Sequence, residues 1–467
     1  MDRLSASFRD PSGFVFSHQG QIYRQVNRAY SSTYDQLMSS SLYDVLTSKG
    51  WLIAHEEVSE SPEGMHLSEE LYKLLLPQQI PYVSYPYEWS FNQLKDAALL
   101  TLKIAAAALQ QGMILKDASA YNVQFIGAKP VFIDTLSFEP YVEGTPWVAY
   151  RQFCQHFLAP LALMAHADIS LSKLLLSEID GIPLPLASQL LPTKTKLTYG
   201  LYTHIHLHAK TQQRFADAAE TNELQTPKPA SAQLSKKGLR AILESLASAI
   251  NKLQWKQPKT EWGDYYDNTN YSVASADQKA ILVGNFLDSI PGGITTVHDL
   301  GANTGVFSEV ASAYCEHVIS QDIDPVAVDA QYEYRKKRGP GNILPLLLNL
   351  TAPSPAIGWH NTERDSFTTR ARCDVIMALA LIHHLAISNN TPLEHIAALF
   401  ADLAPHLIIE FVPKSDSQVI RLLATREDIF PDYNDIGFER AFGKFFDVAQ
   451  KKAVEGSERT LYLLNRR

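Results

Sequence analysis

Short apolar runs alternate with amphipathic segments through the C-terminal half of the chain. The runs have the length of buried strands, and the segments between them place apolar residues at helical spacing. Strands and helices that alternate in this way predict an open, mainly parallel sheet with helices on its faces. We expect strands beginning at Val297 and over 316–325, 341–350, 372–385, 406–414 and 460–464, with helices over 276–289, 327–337 and 393–403.

The N-terminal half has a different pattern, in which strands and helices do not alternate regularly. Apolar runs on either side of Gly20 predict a β-hairpin, and apolar residues at helical spacing predict a long helix that Ser90 caps. Between residues 211 and 237, Thr, Gln, Ala, Glu and Pro dominate, a composition typical of a linker. The predicted organisation is an α+β domain over 1–208, a linker over 209–237 and an α/β domain over 238–467.

Composition narrows the class of protein. A chain of 467 residues with 46% apolar and 19% charged residues is long enough for two or three globular domains. The net charge of −9 gives no reason to expect a nucleic-acid partner. Three widely separated cysteines predict neither a disulfide framework nor a zinc cluster. With no signal peptide and no membrane-spanning segment predicted, we expect a cytoplasmic protein.

One stretch combines a strand, a glycine loop and the start of a helix. A buried strand ends near Asp299, the loop runs from Gly301 to Gly305, and a helix follows. Such a turn brings backbone N–H groups close to a ligand. Asp322 lies 21 positions after Gly301 (322 − 301), about the 20-residue offset of an acid that binds a ribose diol. The third glycine of a dinucleotide fingerprint is absent, because Phe307 and Ser308 follow the loop.

The sequence Asp-Leu-Gly-Ala-Asn-Thr-Gly over 299–305 resembles motif I of the class I S-adenosylmethionine-dependent methyltransferases. The resemblance covers roughly 256–467 and implies a Rossmann-like sheet with S-adenosylmethionine as cofactor. The alternative is an ordinary strand–turn–helix. Aromatic residues before the first strand would form a lid over the cofactor or pack the edge of the domain. The implied cofactor residues are Asp299, Gly301, Asn303, Gly305, Asp322 and Asn349, with the lid candidates Trp262, Tyr266 and Tyr271.

Three side chains are candidates for removing a proton from a methyl acceptor. Methyl transfer from a sulfonium is a single in-line displacement, so the protein must mainly position the acceptor and accept its proton. His383 and His384 follow the predicted fourth strand, and Glu410 lies near the tip of the fifth. The alternatives are that the histidines cap the strand or pack on the cofactor, and that positioning alone suffices.

A second set of polar residues lies in the N-terminal half. Asp117 and Asn122 have D-x4-N spacing, and Asp134 ends an apolar strand 12 positions later (134 − 122). This pattern resembles the protein kinase and aminoglycoside phosphotransferase superfamily, which implies that Asn122 and Asp134 hold magnesium on ATP while Asp117 positions a hydroxyl. Leu115 stands in place of the usual His, and no glycine-rich phosphate loop is present. Arg24 is at best a substitute for the strand lysine.

The open alternatives for this half are an active phosphotransferase, a degenerate kinase-like domain kept for binding, and turn caps without chemistry. The leading expectation is a methyltransferase acting on a small-molecule or glycan hydroxyl that the N-terminal domain presents. The second is a bifunctional phosphotransferase–methyltransferase that also uses Mg-ATP. The third is a binding protein with an inactive cofactor site. The sequence leaves the acceptor atom and the oligomeric state open.

Overall fold

The computed structural model describes residues 2–59, 68–211, 234–257, 273–339, 341–424 and 426–467. The chain divides into two compact units. Unit 1 comprises Met1–Phe125, Pro130–Lys256 and Ala356–Asp365, and unit 2 comprises Ile126–Lys129, Gln257–Pro355 and Ser366–Arg467. Most of the predicted linker over 209–237 lies outside the described residues. The predicted lid residues Trp262, Tyr266 and Tyr271 also lie outside them.

Unit 1 begins with an antiparallel five-stranded sheet in the order β1-β2-β3-β5-β4. The predicted hairpin is confirmed as the β2–β3 pair. Its turn residues Gln19 and Gly20 have φ of 50° and 79°, the left-handed pair that suits a two-residue hairpin turn. The strands are β1 (Asp2–Arg3), β2 (Gly13–His18), β3 (Gln21–Asn27), β4 (His55–Glu57) and β5 (Leu71–Pro77).

The rest of unit 1 is mainly helical and surrounds the predicted long helix α3. Ser90 caps this helix by accepting a hydrogen bond from the backbone N–H of Gln93, as the sequence predicts. The helices are α1 (Ser31–Ser39), α2 (Leu42–Ser48), α3 (Phe91–Gln110), α4 (Tyr150–Phe153), α5 (Ala159–His166), α6 (Leu174–Ser177), α7 (Leu184–Leu190), α8 (Tyr199–Leu201) and α9 (Lys236–Lys252), with π-helical turns at Cys154–Leu158 and Tyr202–Leu207.

Two short strand pairs follow α3. Strand β6 (Met113–Leu115) pairs antiparallel with β9 (Phe138–Pro140), and β7 (Val123–Ile126) pairs with β8 (Lys129–Phe132). The loop between β6 and β7 carries Asp117 and Asn122, and the loop between β8 and β9 carries Asp134. The pairing therefore places the three predicted polar residues on loops of the same small substructure.

The boundary between the units differs from the predicted one. The sequence predicts a domain from residue 238, whereas α9 belongs to unit 1 and packs on α3. Lys95 on α3 donates hydrogen bonds of 3.1 and 2.8 Å to the carbonyl oxygens of Asn251 and Leu253, at and just beyond the end of α9. The amphipathic pattern predicted the helix correctly, but the pattern does not identify which core its apolar face covers.

Unit 2 contains the predicted parallel sheet. Its seven strands have the order β12-β11-β10-β13-β14-β16-β15, and the first five pair parallel. The last two strands form an antiparallel hairpin at one edge. The strands are β10 (Ile294–Leu300), β11 (Cys315–Asp322), β12 (Ile343–Leu347), β13 (Val375–Ala378), β14 (His406–Phe411), β15 (Phe446–Ala453) and β16 (Thr460–Arg466).

Buried strands and amphipathic helices form the core of unit 2. All four residues of β13 are buried, as expected for a central parallel strand covered on both faces. The helices are α10 (Val273–Asp288), α11 (Val306–Ala311), α12 (Pro325–Arg338), α13 (Phe367–Arg370), α14 (Leu393–Leu403), α15 (Ser417–Leu423) and α16 (Asp435–Phe442). The predicted helices over 276–289, 327–337 and 393–403 are confirmed as α10, α12 and α14 within a few residues.

Two further differences from the sequence prediction affect the site. The predicted fourth strand over 372–385 ends at Ala378, and a π-helical turn occupies His384–Ser388. Ala380 breaks the strand with a φ of 51°, a left-handed conformation that is unusual for alanine. The histidine pair therefore lies on a helical turn beyond the strand end. Strand β15 was not predicted.

All three cysteines are free thiols. Within the part of the chain that the structure describes, no helix has both the length and the apolar character needed to cross a membrane.

Candidate functional site

The glycine loop between β10 and α11 is built from left-handed residues. Gly301, Asn303 and Gly305 have φ of 75°, 51° and 80°. A Cβ on Gly305 would lie 1.6 Å from the Nε2 atom of Gln331, and one on Gly301 would lie 3.1 Å from Leu381. Close packing and backbone conformation therefore both favour glycine at position 305, whereas at 301 the backbone conformation is the main reason.

Asp322, the last residue of β11, fixes this loop. Its two carboxylate oxygens accept hydrogen bonds from the backbone N–H groups of Asn303 (2.7 Å) and Asp324 (2.8 Å). Burial raises the pKa of Asp322 above its usual value, although these hydrogen bonds oppose the rise. Among the described residues, no lysine or arginine forms an ion pair with this carboxylate.

Asp299 lies beneath the loop and is also buried. The Ser308 hydroxyl donates a 2.6 Å hydrogen bond to its Oδ2 atom. Burial raises the pKa of Asp299 to about 7, against the opposing effect of that hydrogen bond. The carboxylate is thus close to its titration midpoint at neutral pH.

The loop and the strand ends enclose a cavity of about 520 Å³ within unit 2. The structure brings five of the six predicted motif and strand-end cofactor residues together in its wall. Gly305 is the exception, because it precedes α11 as its N-cap and faces Gln331. The five residues in the wall are Asp299, Gly301, Asn303, Asp322 and Asn349.

The other end of the cavity is mostly apolar. It is formed by the segment that follows β13 and by one residue of α15. Ala380, with its left-handed backbone, belongs to this wall, and its strain is a feature that sequence inspection missed. The residues here are Leu379, Ala380, Leu381, His384, Leu385, Ser388, Asn389 and Leu422.

The structure separates the two histidines that the sequence could not distinguish. His384 is half-buried and lines the cavity, and burial lowers its pKa to about 4. His383 is completely buried and does not line the cavity. Neither of its ring nitrogens has a hydrogen-bond partner among the described residues, and its ring centroid lies 4.0 Å from that of His384. His384 is therefore the one placed to meet a ligand.

Glu410 is held in an ion-pair network rather than exposed to the cavity. Its side chain is fully buried, with an Oε2 atom 2.7 Å from the Nζ atom of Lys279 and an Oε1 atom 3.7 Å from Arg459. Arg459 in turn contacts Asp416 at 2.8 Å. Glu410 does not line the cavity, so its position does not suit a base that meets an acceptor.

Lys279 on α10 is a site residue that sequence reasoning missed. It is buried, lines the cavity and is the only Lys or Arg among the described residues that do so. Its Nζ atom lies 4.5 Å from the centre of the Phe307 ring, and the charge of Glu410 and, more weakly, that of Asp299 favour its ammonium form. Burial nevertheless lowers its pKa. The sequence did contain a sign of this role, since Lys279 is a single lysine on the apolar face of a predicted helix.

The predicted phosphotransferase residues of unit 1 are near one another but differently connected. Burial and the charge of Asp134 raise the pKa of Asp117. Asp134 is 2.5 Å from a guanidinium nitrogen of Arg24 and accepts hydrogen bonds from Ser137 and the N–H of Leu136. Asn122 donates to Ser137 at 3.3 Å. In the described part of the chain, no group of three or more His, Cys, Asp or Glu side chains is arranged to hold a metal.

Structural comparison finds solved methyltransferases at low similarity. The N-methyltransferase NodS from Bradyrhizobium japonicum WM9 matches 42% of this chain and 98% of its own, with 11% identity and a TM-score of 0.31. Magnesium protoporphyrin IX methyltransferase from Synechocystis PCC 6803 matches 41% and 84%, with 19% identity and a TM-score of 0.29. The bifunctional kinase-methyltransferase WbdD matches 43% and 41%, with 13% identity and a TM-score of 0.29. At these identities and TM-scores, the matches do not establish the function of this chain.

Sequence comparison gives a closer relative. No protein-family model matches the chain. The nodulation protein NoeA of Rhizobium meliloti (strain 1021) is 38% identical over 473 aligned positions, which cover 99% of this chain and 96% of NoeA. The similarity thus spans both units rather than the glycine loop alone. The chain belongs to the family of the nodulation protein NoeA.

Proposed function

We propose that unit 2 is an S-adenosylmethionine-dependent methyltransferase. The observation that carries the proposal is one cavity in which the glycine loop, the strand-end acid Asp322 and the oppositely charged Asp299 and Lys279 meet. It lies at the carboxyl ends of parallel strands, where open α/β sheets bind their ligands.

The strand order suggests how the cofactor would lie. Asp322 ends β11 and Asn349 follows β12, so the adenosine would sit over these two strands. Asp322 suits a ribose diol, because a carboxylate accepts hydrogen bonds from both hydroxyl groups. Asp299 belongs to β10, the next strand in the sheet, and His384 follows β13 beyond it. The cofactor would therefore extend from β12 toward β13, with its methyl group near His384.

The charges near β10 match an amino-acid group. An amino acid at neutral pH has one ammonium and one carboxylate, which need an acid and a base as neighbours. Asp299 and Lys279 both line the cavity and interact electrostatically. Asp299 would bind the ammonium and Lys279 the carboxylate. A dinucleotide has no amino-acid group that would need this pair of charges.

A dinucleotide fits less well for a second reason. Its pyrophosphate would require the third glycine of G-x-G-x-x-G for close packing at the helix start. In this chain Ser308 occupies that part of the helix, is fully buried and bonds to Asp299. A polar side chain therefore lies between the helix and the strands where the dinucleotide motif has a glycine.

His384 is the candidate base for the acceptor. The cofactor would supply a methyl group on a sulfonium, an activated leaving group for in-line displacement. Because the pKa of His384 is lowered to about 4, its imidazole is neutral at pH 7 and would accept a hydrogen bond from the acceptor hydroxyl, but as a weak base it would contribute more by positioning than by holding the proton. Leu381, Leu385 and Leu422 would exclude water and position the acceptor. No charged side chain lies among the described residues of this wall, which favours a neutral acceptor such as a small-molecule or glycan hydroxyl.

Unit 1 has a supporting role in this proposal. Its paired strands β6–β9 and β7–β8 flank the loops that resemble kinase catalytic loops, and it would serve as an acceptor-binding module. The alternative of a phosphotransferase using Mg-ATP is not favoured, because Asp134 is already paired with Arg24.

The cofactor class can be tested by ligand-induced stabilisation. S-adenosylhomocysteine at 100 times its Kd should stabilise the folded chain by about 2.7 kcal/mol, which raises its melting temperature, whereas NADH and NADPH should have no effect. Lys279→Met should weaken the S-adenosylhomocysteine response without creating one to NADH. Stabilisation by a nicotinamide dinucleotide alone would contradict the proposal.

A further inference from the structure

The acidic residues of unit 1 have a cation of their own, supplied from a distant part of the sequence. Arg24 lies in β3, and one of its guanidinium nitrogens is 2.5 Å from the Oδ1 atom of Asp134. Both side chains are 13% exposed, so the pair is largely shielded from water. Loss of either partner would leave the other charge shielded from water without compensation.

Asp134 also accepts two further hydrogen bonds. The Ser137 hydroxyl donates to Oδ2, and the backbone N–H of Leu136 donates to Oδ1 at 3.2 Å. The amide nitrogen of Asn122 donates to the Ser137 hydroxyl at 3.3 Å. Each carboxylate oxygen therefore already has at least one donor.

These contacts do not suit a magnesium site. Magnesium requires near-octahedral coordination by oxygen atoms at about 2.0–2.1 Å. A guanidinium nitrogen 2.5 Å from Oδ1 occupies the space next to that oxygen and repels a second cation. Asn122 and Asp134, which the resemblance to phosphotransferases assigns to the metal, thus have other partners.

The neighbouring charged side chains also have partners within the protein. Lys116 lies 4.0 Å from Asp10 and donates a 3.1 Å hydrogen bond to Ser12. Asp117 accepts a 2.9 Å hydrogen bond from the N–H of Ser119, and its pKa is raised by burial and by Asp134. Two basic side chains, Arg24 and Lys116, therefore face three acids, and the raised pKa of Asp117 favours its neutral form.

We propose that Arg24 is an internal counter-ion that replaces a divalent cation at Asp134, so that unit 1 is a metal-independent module. The same carboxylate that would bind magnesium in an active phosphotransferase then has a structural role. This inference concerns unit 1 alone and does not depend on the cofactor proposed for unit 2.

The proposal predicts that removing Arg24 creates a cation-dependent protein. Thermal unfolding of the full chain would be followed with EDTA, and with millimolar magnesium or manganese. Wild type should show the same Tm in all three conditions. Arg24→Gln should melt about 5 °C lower in EDTA, because a shielded carboxylate has lost its partner. Magnesium or manganese should restore several degrees of that loss.

Three further variants make the test specific. Arg24→Gln with Asp134→Asn removes both charges, so its Tm should recover in EDTA and lose the response to metal. Arg24→Lys keeps a cation and should also remain insensitive to metal. A wild-type Tm that rises with magnesium and no longer does so in Asp134→Asn would overturn the proposal. So would an Arg24→Gln protein that folds but ignores both metals.

Discussion

Each unit has an aspartate at the end of an apolar strand, but the two aspartates have different partners. Asp322 in unit 2 and Asp134 in unit 1 each follow an apolar strand, and the sequence assigns a ligand to both. Asp322 is held by two backbone N–H groups and faces a cavity. Asp134 is paired with Arg24 and Ser137. Such an acid can bind a ligand only if the nearby cation is paired with another acid.

The buried cations Arg24 and Lys279 also differ in which acid each one pairs with. Arg24 neutralises the strand-end acid directly, at 2.5 Å. Lys279 lines the cavity but has Glu410 as its ion-pair partner, at 2.7 Å, and among the described residues Asp299 and Asp322 have no ion-pair partner. The fully buried Glu410 thus keeps the lysine in place without closing the site. Glu410, which lies outside the cavity wall, thus stabilises the positive charge of Lys279 within the wall.

The largest effect is expected at the loop that holds Asp322 toward the cavity. Gly305→Ala should abolish S-adenosylmethionine binding, because its Cβ would overlap Gln331 and its φ is 80°. Strain and overlap together should destabilise unit 2 by more than about 3 kcal/mol. The measurements are calorimetric titration and urea unfolding.

Gly292→Ala is the matched control for that prediction. Gly292 has a φ of 88°, but a Cβ there would meet no atom within 4 Å. It should cost only about 1 kcal/mol of backbone strain and leave binding unchanged. Equal losses in the two variants would show that strain alone, and not the fit of the loop against Gln331, explains the effect.

A smaller effect tests how Lys279 is held. Lys279→Met should lower the free energy of unfolding by about 3 kcal/mol, because Glu410 would remain buried without its nearest partner. Adding Glu410→Gln should recover most of that loss, since Arg459 keeps its contact with Asp416. Urea unfolding of the two variants measures the difference. If the double variant were the less stable of the two, the network would not act as described.

The smallest effect, taken per pH unit, is the pH dependence of binding. The pKa of Asp299 is raised to about 7, so below pH 7 the carboxylate must release a proton before it can bind an ammonium group. Cofactor affinity should rise by up to about tenfold per pH unit as pH increases to 7, and level off above it. The stability of the ligand-free protein should change in the opposite direction and fall as pH rises from about 4 to 7. Asp299→Asn should remove both trends, as titrations in several buffers would reveal.

Local patterns predicted much of unit 2. Strand and helix alternation gave the parallel sheet, and the Gly301–Gly305 spacing with Asp322 gave the loop and the acid that the structure brings together. These features depend on residues close in sequence, or on a βαβ unit whose geometry is regular. The histidine pair was located only approximately, because nothing local indicates that the strand ends at Ala378 and turns at Ala380.

Contacts between residues far apart in the sequence could not be predicted from local patterns. Arg24 and Asp134 are far apart in sequence, and their contact depends on how the N-terminal sheet packs on the loops after α3. The burial of Glu410 depends likewise on Lys279 and Arg459, which come from either end of unit 2. The sequence did not indicate which unit α9 joins for a related reason, since an amphipathic helix shows an apolar face but not the core that it covers.

The most direct test of the account is a calorimetric titration with S-adenosylmethionine of wild type, Asp322→Ala and Asp134→Ala. Wild type should bind. Asp322→Ala should lose about 100-fold or more in affinity, because charge-assisted hydrogen bonds to the ribose and the anchor of the loop are both lost. Asp134→Ala should bind as wild type does. Absence of binding in wild type, or equal binding by wild type and Asp322→Ala, would contradict the proposed methyltransferase site.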